Sequence, residues 1–193
     1  SAPARGVLAT KGVRDALIAK VRFDTPMSNE RPAETTRQEI SAMRRSYGVD
    51  GITDLGSDPV AAFTTWLHEA AANQFIVEAN AMVLSTLGSA SDGSDAITTR
   101  TVLLKDISEG GFTFFTNYNS RKSQAIELNS QVTLLFPWYA MERQVSISGF
   151  ASQIDRSESE SYFATRPWSS QIGAWASAQS SPLSSREELE QRY

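Results

Sequence analysis

Gly111-Phe112-Thr113-Phe114-Phe115-Thr116-Asn117-Tyr118-Asn119-Ser120-Arg121-Lys122-Ser123-Gln124-Ala125-Ile126-Glu127-Leu128 changes character halfway. Its first six residues, rich in aromatic and β-branched side chains, read as a strand. From Lys122 onward the residues suit a helix, and Asn119 or Ser120 is a natural N-cap, because a short side-chain oxygen can accept a backbone N–H of the first turn. The two cations after the cap are out of place. The positive end of the helix macrodipole favours Asp or Glu there, and a cation costs about 0.3–1 kcal/mol instead. A bound anion would reverse that sign, since free N–H groups, a hydroxyl, Arg and Lys together make a phosphate site. Taken alone, an Arg-Lys pair is more often a solvated basic corner. The flanking sequence decides between the two.

On both sides of this stretch the residues alternate as strands do. Ala81-Met82-Val83-Leu84-Ser85-Thr86 is one strand, ended by the Gly/Ser/Asp run from Gly88 to Asp95, and Ile97 to Lys105 is a second. Phe112 to Thr116 is the third. Downstream, Val132, Leu134 and Phe136 alternate with polar residues over Gln131 to Phe136, and Val145 and Ile147 do so within Arg143 to Gln153. Five strands joined mainly by turns predict an antiparallel sheet curled into a barrel, because an open sheet of this size leaves edges to manage. The fold class is α+β, mainly antiparallel β, with peripheral helices.

The helices are read from their punctuation. Glu34 to Tyr47 ends at Gly48; Asp58-Pro59 starts a helix with Val60, Phe63, Leu67, Ala70 and Ala71 on one face and His68 beside it, in a structural or solvent-facing role. Ser157 to Thr165 stops before Arg166-Pro167, Ser169 to Ser177 follows, and Ser184-Ser185-Arg186-Glu187 is a capping box. The helix that this box opens has no stop signal at Tyr193, so the sequence is expected to continue in the intact protein. Residues 1–35 hold Pro3, Pro26 and Pro32 without sustained periodicity and read as a mostly mobile extension, with 36–193 as the folded domain.

Composition removes several chemistries. The chain has 193 residues, 40% hydrophobic and 21% charged, and a formal net charge of -4, which gives no support for nucleic-acid or anionic-membrane binding. No apolar run approaches the roughly 20 residues of a membrane helix. There is no cysteine and one histidine, His68, so a thiolate nucleophile, a His/Cys zinc site and a Ser-His-Asp triad are all poorly supplied. Chemistry must come from a cofactor or from Arg, Lys, Tyr, Ser and carboxylates.

Two further groupings carry such residues. Arg100-Thr101-Val102-Leu103-Leu104-Lys105 has a cation at each end of an apolar strand. Regular pleating turns Arg100 and Lys105 to opposite faces, so a shared site needs a strong twist, a bulge, or Lys105 reaching over the strand end. Tyr162, Arg166 and Ser170 recur every fourth residue, a phenol, a guanidinium and a hydroxyl that could converge on an oxyanion, although taken alone such a set more often edges an amphipathic helix. Gln179-Ser180-Ser181-Pro182 adds amide and hydroxyl groups in a turn. Trp138, Trp168 and Trp175 are expected in the core rather than against a cofactor.

In this order and spacing the pieces resemble the pyridoxine/pyridoxamine 5′-phosphate oxidase family, from about Arg44 to the C-terminus. The resemblance rests on Glu78-Ala79-Asn80-Ala81-Met82, Arg100 to Lys105, Gly111 to Asn117, Ser120-Arg121-Lys122, Leu135-Phe136-Pro137-Trp138, Glu142-Arg143-Gln144-Val145, Tyr162-Phe163 with Arg166-Pro167, and Ser170-Gln171-Ile172-Gly173-Ala174-Trp175-Ala176-Ser177 with Gln179-Ser180. It implies an FMN-binding split β-barrel that oxidises pyridoxamine and pyridoxine 5′-phosphates to pyridoxal 5′-phosphate with dioxygen, giving hydrogen peroxide. It implies FMN contacts from Arg100, Thr101, Val102, Leu103, Leu104, Lys105, Phe115, Thr116, Gln144, Gln179 and Ser180, with Arg121 and Lys122 chiefly on the FMN phosphate. Lys105, Tyr162, Arg166 and Ser170 would bind the substrate phosphate, and Arg44 and Tyr47 match residues that close over the site. The family works as a homodimer with FMN at the subunit interface, and a cytoplasmic location is expected unless the N-terminal extension targets an organelle. The family's later Trp-Gly-Gly strand, Phe-Trp-Gln-Gly segment and Arg-Leu-His-Asp-Arg motif do not occur here, which fits a sequence that is cut short. The alternatives are another split-barrel flavin reductase and a non-catalytic binder of FMN or pyridoxal phosphate.

Overall fold

Asp58 and Pro59 open the longest helix of the chain in the way that their side chains dictate. In the computed structural model, which describes residues 37–43, 46, 48, 51, 55–90, 92–108 and 111–192, the Asp58 carboxylate accepts the N–H groups of Val60 and Ala61 at 2.9 and 3.2 Å. Pro59, whose missing N–H costs nothing at that position, is the first helical residue. The chain divides into two units, Ser1–Ser46 and Tyr47–Tyr193. In the first, helix α1 (Arg37–Ala42) lies inside the helix expected over 34–47. The predicted extension 1–35, and Arg44 and Tyr47, lie outside the described residues.

The second unit begins with α2 (Pro59–Ala72) and continues through β1 (Ala81–Ser89), β2 (Asp95–Leu103), β3 (Asp106–Ser108), β4 (Gly111–Thr113), α3 (Arg121–Leu128), β5 (Gln131–Trp138), β6 (Arg143–Phe150), α4 (Arg156–Thr165), α5 (Trp168–Ala176) and α6 (Arg186–Arg192). Four strands form an antiparallel sheet in the order β2-β1-β5-β6, and β3-β4 is a separate hairpin. The expected third strand is therefore shorter, ending at Thr113. The polar run before it, read as a turn, supplies its partner: Asp106 pairs with Thr113 and Ile107 with Phe112. Among the described residues β2 and β6 are the edges of this sheet.

One face of the sheet makes the core. Met82, Leu84 and Thr86 of β1 alternate inward, and Leu134, Phe136 and Trp138 of β5 join them under Phe63 and Ala70 of α2. Phe63 meets Phe112 and Phe136 edge-on, with ring centroids 5.1 and 4.8 Å apart, which ties the hairpin, the helix and the sheet into one cluster. The Trp138 indole N–H donates to the Ala79 carbonyl at 2.9 Å, so this buried polar group is satisfied. One expectation for α2 needs correction: Ala71 is exposed, and Trp66 packs against the core instead. Arg143 sits 4.8 Å above the Trp66 ring and pairs with Glu69. His68 is exposed, on the solvent side. Trp168 and Trp175, expected in the core, are 74% and 81% exposed, because α5 turns that side away from the sheet. The capping box of α6 is displaced by one residue: Ser185 caps Glu188, whose carboxylate returns to Ser184.

Helix α3 lies across β1 at close range. A β-carbon added at Gly88 would stand 2.9 Å from the Ala125 β-carbon, tighter than real contacts allow. Only glycine lets the helix, and with it Ser120, Arg121 and Lys122, sit so deep against the strand.

Candidate functional site

The N-terminus of α3 gathers the features of an anion site, nearby cations and a first turn that its N-cap side chain leaves uncapped, with no ion pair from those cations to a carboxylate among the described residues. Ser120 is the N-cap residue, with its carbonyl accepting the Gln124 N–H at 3.0 Å. Contrary to expectation, its side chain caps nothing, and no side chain takes the first-turn N–H groups. Its hydroxyl, fully buried, instead lies 3.3 Å from Lys122 Nζ and 3.1 Å from Ser123 Oγ. Lys122 is 8% exposed and also donates to Thr116 Oγ1 at 3.1 Å. Ser123 Oγ–H returns to the Asn117 carbonyl at 2.9 Å, and the Asn117 side-chain oxygen takes the Asn119 N–H at 2.8 Å. The turn is thus pre-shaped by its own hydroxyl and amide groups.

Charge accumulates here without a counter-charge. Burial lowers the Lys122 pKa from the ordinary lysine value, and the Arg100 charge lowers it further. Arg100 is lowered likewise, by burial first and then by Arg121. The Arg100 charge bears on Lys122 and the Arg121 charge on Arg100, while no ion pair joins any of the three to a carboxylate among the described residues. Such an arrangement is costly by itself and favourable around a dianion. The donor set therefore fits a phosphate. A pH prediction follows from the Lys122 shift. Between its lowered pKa and the 10.5 of a free lysine, the unfolded chain binds the extra proton, so apoprotein stability rises with pH across that window. Anion affinity, which needs the charged amine, falls across the same window. Denaturant titrations of the protein and of Lys122→Met at several pH values above neutrality should show the rise in the first and its loss in the second.

Beside this turn opens a cleft of about 1700 Å³. Thr101, Val102, Leu103 and Lys105 line it from β2 and its end, Phe115, Thr116 and Lys122 from the central stretch, and Tyr162, Arg166, Ser170 and Gln179 from the helical side. Lys105 enters by the third of the routes left open above. Strand β2 stops at Leu103, the Leu104 N–H turns to the Asn80 carbonyl at 2.9 Å, and the Lys105 N–H pairs with Thr113 at 2.8 Å. Arg100 stays on the core side of the strand.

On the far wall the Pro167 break keeps Arg166 and Ser170 together. The Arg166 carbonyl accepts the Gln171 side-chain amide at 2.8 Å, and the Pro167 carbonyl accepts the Ser170 N–H at 2.8 Å. Tyr162 stacks flat on Phe115, with centroids 3.8 Å apart and planes 6° from parallel, so the two walls touch through aromatic faces.

Some expected site residues are placed differently. The Leu104 side chain is 5% exposed and belongs to the core, since it follows the last strand residue into the hydrophobic cluster. Gln144 is exposed on β6, three strand spacings from β2, or about 14 Å. Ser180 is exposed with a φ of 68° and does not line the cleft. Gln179 does line it, but its side-chain oxygen is used to brace the turn, accepting Thr116 Oγ1 at 3.1 Å and the Asn117 N–H at 3.2 Å. Asn117, Asn119 and Ser123 were missed by sequence reasoning; Asn and Ser at a strand-to-helix turn were the available signal. Thr86, beneath Arg100, had none, since a threonine in a strand is unremarked. Among the described residues no group of three or more His, Cys, Asp or Glu could hold a metal, and no helix is long and apolar enough to cross a membrane.

Known proteins resemble this chain in sequence and in fold. The sequence model of a family described as pyridoxamine 5′-phosphate oxidase matches residues 68–193. The pyridoxine/pyridoxamine 5′-phosphate oxidase of Rubrobacter xylanophilus is 48% identical over 161 residues, 82% of this chain and 72% of that protein. Its counterpart from Prochlorococcus marinus is 47% identical over 163 residues, 83% and 71% of the two chains. Among solved structures, PhzG from Burkholderia lata, crystallised with tetrahydrophenazine-1-carboxylic acid, superposes with a TM-score of 0.64 at 29% identity, covering 72% of this chain and 66% of its own. A pyridoxamine 5′-phosphate oxidase-related, FMN-binding protein from Nostoc punctiforme shares the fold, with a TM-score of 0.51 at 15% identity over 70% of this chain and 72% of its own.

Proposed function

The chain belongs to the pyridoxamine 5′-phosphate oxidase family, and on that premise we propose that it holds FMN in this cleft and oxidises pyridoxamine or pyridoxine 5′-phosphate to pyridoxal 5′-phosphate. The overall change consumes dioxygen and releases hydrogen peroxide, and the amine substrate also takes up water and releases ammonia. Bound FMN would supply the two-electron chemistry, which no side chain here can. The observation that carries the reading is that Lys122 lines one cleft together with Lys105 and Arg166, with Arg100 and Arg121 near Lys122 but outside that lining. Arg100, Arg121, Lys122 and the first turn of α3 suit the cofactor phosphate. Lys105, Tyr162, Arg166 and Ser170 suit a second, smaller phosphate.

Each chain group then has a positional task. Lys122, kept charged by the anion, anchors the cofactor at one end, and Phe115 offers an aromatic face along the cleft wall. Arg166 and Ser170, held across the Pro167 break, fix the substrate phosphate far from the reacting carbon, so that binding energy is converted into orientation. No strong base is present in the cleft, which suits a reaction driven by placement. The reading extends to a homodimer: Gln144 lies too far across the sheet to serve its own cleft and faces outward, where a second copy could use it.

The test is a purified protein with a flavin spectrum, sedimenting as a dimer, given pyridoxamine 5′-phosphate under air. Peroxide and pyridoxal 5′-phosphate forming together is the expected result. Bleaching only by a nicotinamide donor would make it a flavin reductase; bound flavin without turnover would make it a binding protein; no flavin under any condition would overturn the reading.

A further inference from the structure

Among the described residues Thr86 of β1 is the only fully buried threonine, with 1% of its surface exposed. Its hydroxyl is 2.9 Å from Arg100 Nη1 and 3.2 Å from Thr98 Oγ1. Arg100 Nη1 also donates to the Leu84 carbonyl at 3.2 Å, and Nη2 donates to Thr98 Oγ1. Of the five guanidinium N–H groups three are thus committed, which leaves Nε–H and one Nη2–H free. Every acceptor in this set is neutral. A carboxylate in the same place would hold the guanidinium equally well but would cancel the charge that it offers to an anion. Register explains why β1 supplies the support. Arg100 pairs with Leu84 and Thr98 with Thr86, so all four side chains share the core face of the sheet.

We propose that Thr86 is a positioning residue for the cofactor phosphate: its buried hydroxyl, with Thr98, fixes Arg100 in place while leaving its charge unspent. The inference rests on the FMN reading above. A valine at this position keeps the shape and the strand propensity but offers no acceptor, so Arg100 loses one partner and Thr98 loses its neighbour.

The test compares FMN with riboflavin, which lacks the phosphate, by quenching of flavin fluorescence on binding to apoprotein of full length. Thr86→Val should weaken FMN about tenfold or more and change riboflavin by less than about twofold, as expected for a misplaced charged hydrogen bond. Thr86→Ser, which restores the hydroxyl, should recover FMN affinity. FMN affinity unchanged in Thr86→Val would overturn the role. Equal weakening of FMN and riboflavin with a lowered melting temperature would also overturn it, since that is loss of packing. If the unaltered protein fails to prefer FMN over riboflavin, the cofactor reading itself fails and takes this inference with it.

Discussion

Replacing Arg121 and Lys122 together by alanine should lower FMN affinity by about a hundredfold or more, at roughly 1.5 kcal/mol or above for each charged hydrogen bond removed. The effect is large because two of the three cations gathered at this turn are removed at once, leaving Arg100 alone. No carboxylate-bound cation stands in reserve, and the side chain of Ser120 leaves the first-turn N–H groups to the anion. The apoprotein should survive the change. Arg121 is exposed, and Lys122 sits in a like-charged, partly desolvated setting whose removal relieves repulsion from Arg100. Circular dichroism of the double variant should match that of the original protein while FMN titration shows the loss. An unchanged FMN affinity would reduce this turn to a solvated basic corner.

The second large effect belongs to the opposite wall. Arg166→Ala should raise the KM for pyridoxamine 5′-phosphate by about tenfold or more, at roughly 1.5–3 kcal/mol for a hydrogen bond between charged groups. The flavin should remain bound, because the residues on the α3 side of the cleft are untouched. Unphosphorylated pyridoxamine should be turned over by the variant as poorly as by the original protein. That pair of results separates substrate anchoring from cofactor anchoring. Flavin lost together with activity would mean that the two sites are not distinct, and an unchanged KM would remove Arg166 from the substrate site.

How much of this was legible in the sequence depends on the range of the interaction involved. Asp58-Pro59 is a local signal, and α2 starts there. The alternation in β1, β5 and β6 is a two-residue period tied to one buried face, and those strands appear. The β3-β4 hairpin was not legible as two strands, because three residues are too few to show a period and Asp106 and Ser108 look like turn residues. The capping role of Ser120 was read correctly for the backbone and wrongly for the side chain. A hydroxyl cap is a local choice, whereas its turn toward Lys122 depends on burial set by Gly88 and Ala125. The site shows the same division. Arg121 and Lys122 stood out because they defy the helix dipole. Lys105 could be left only as three options, because where the strand stops depends on Asn80, 24 residues from Leu104, and on the hairpin residue Thr113. Leu104 was taken for an FMN contact on the strength of the family resemblance, although its side chain belongs to the core. Thr86 could not be seen at all, since its meaning lies wholly in the cross-strand register.

The most direct measurement of the central claim, that the N-terminus of α3 with Arg100, Arg121 and Lys122 is a cofactor-phosphate site, is the ratio of FMN to riboflavin affinity for the apoprotein at neutral pH and at a pH above the lowered pKa of Lys122. The predicted result is a strong preference for FMN that shrinks as pH rises and falls with added inorganic phosphate. Equal affinity for the two flavins, unaffected by either change, would contradict it.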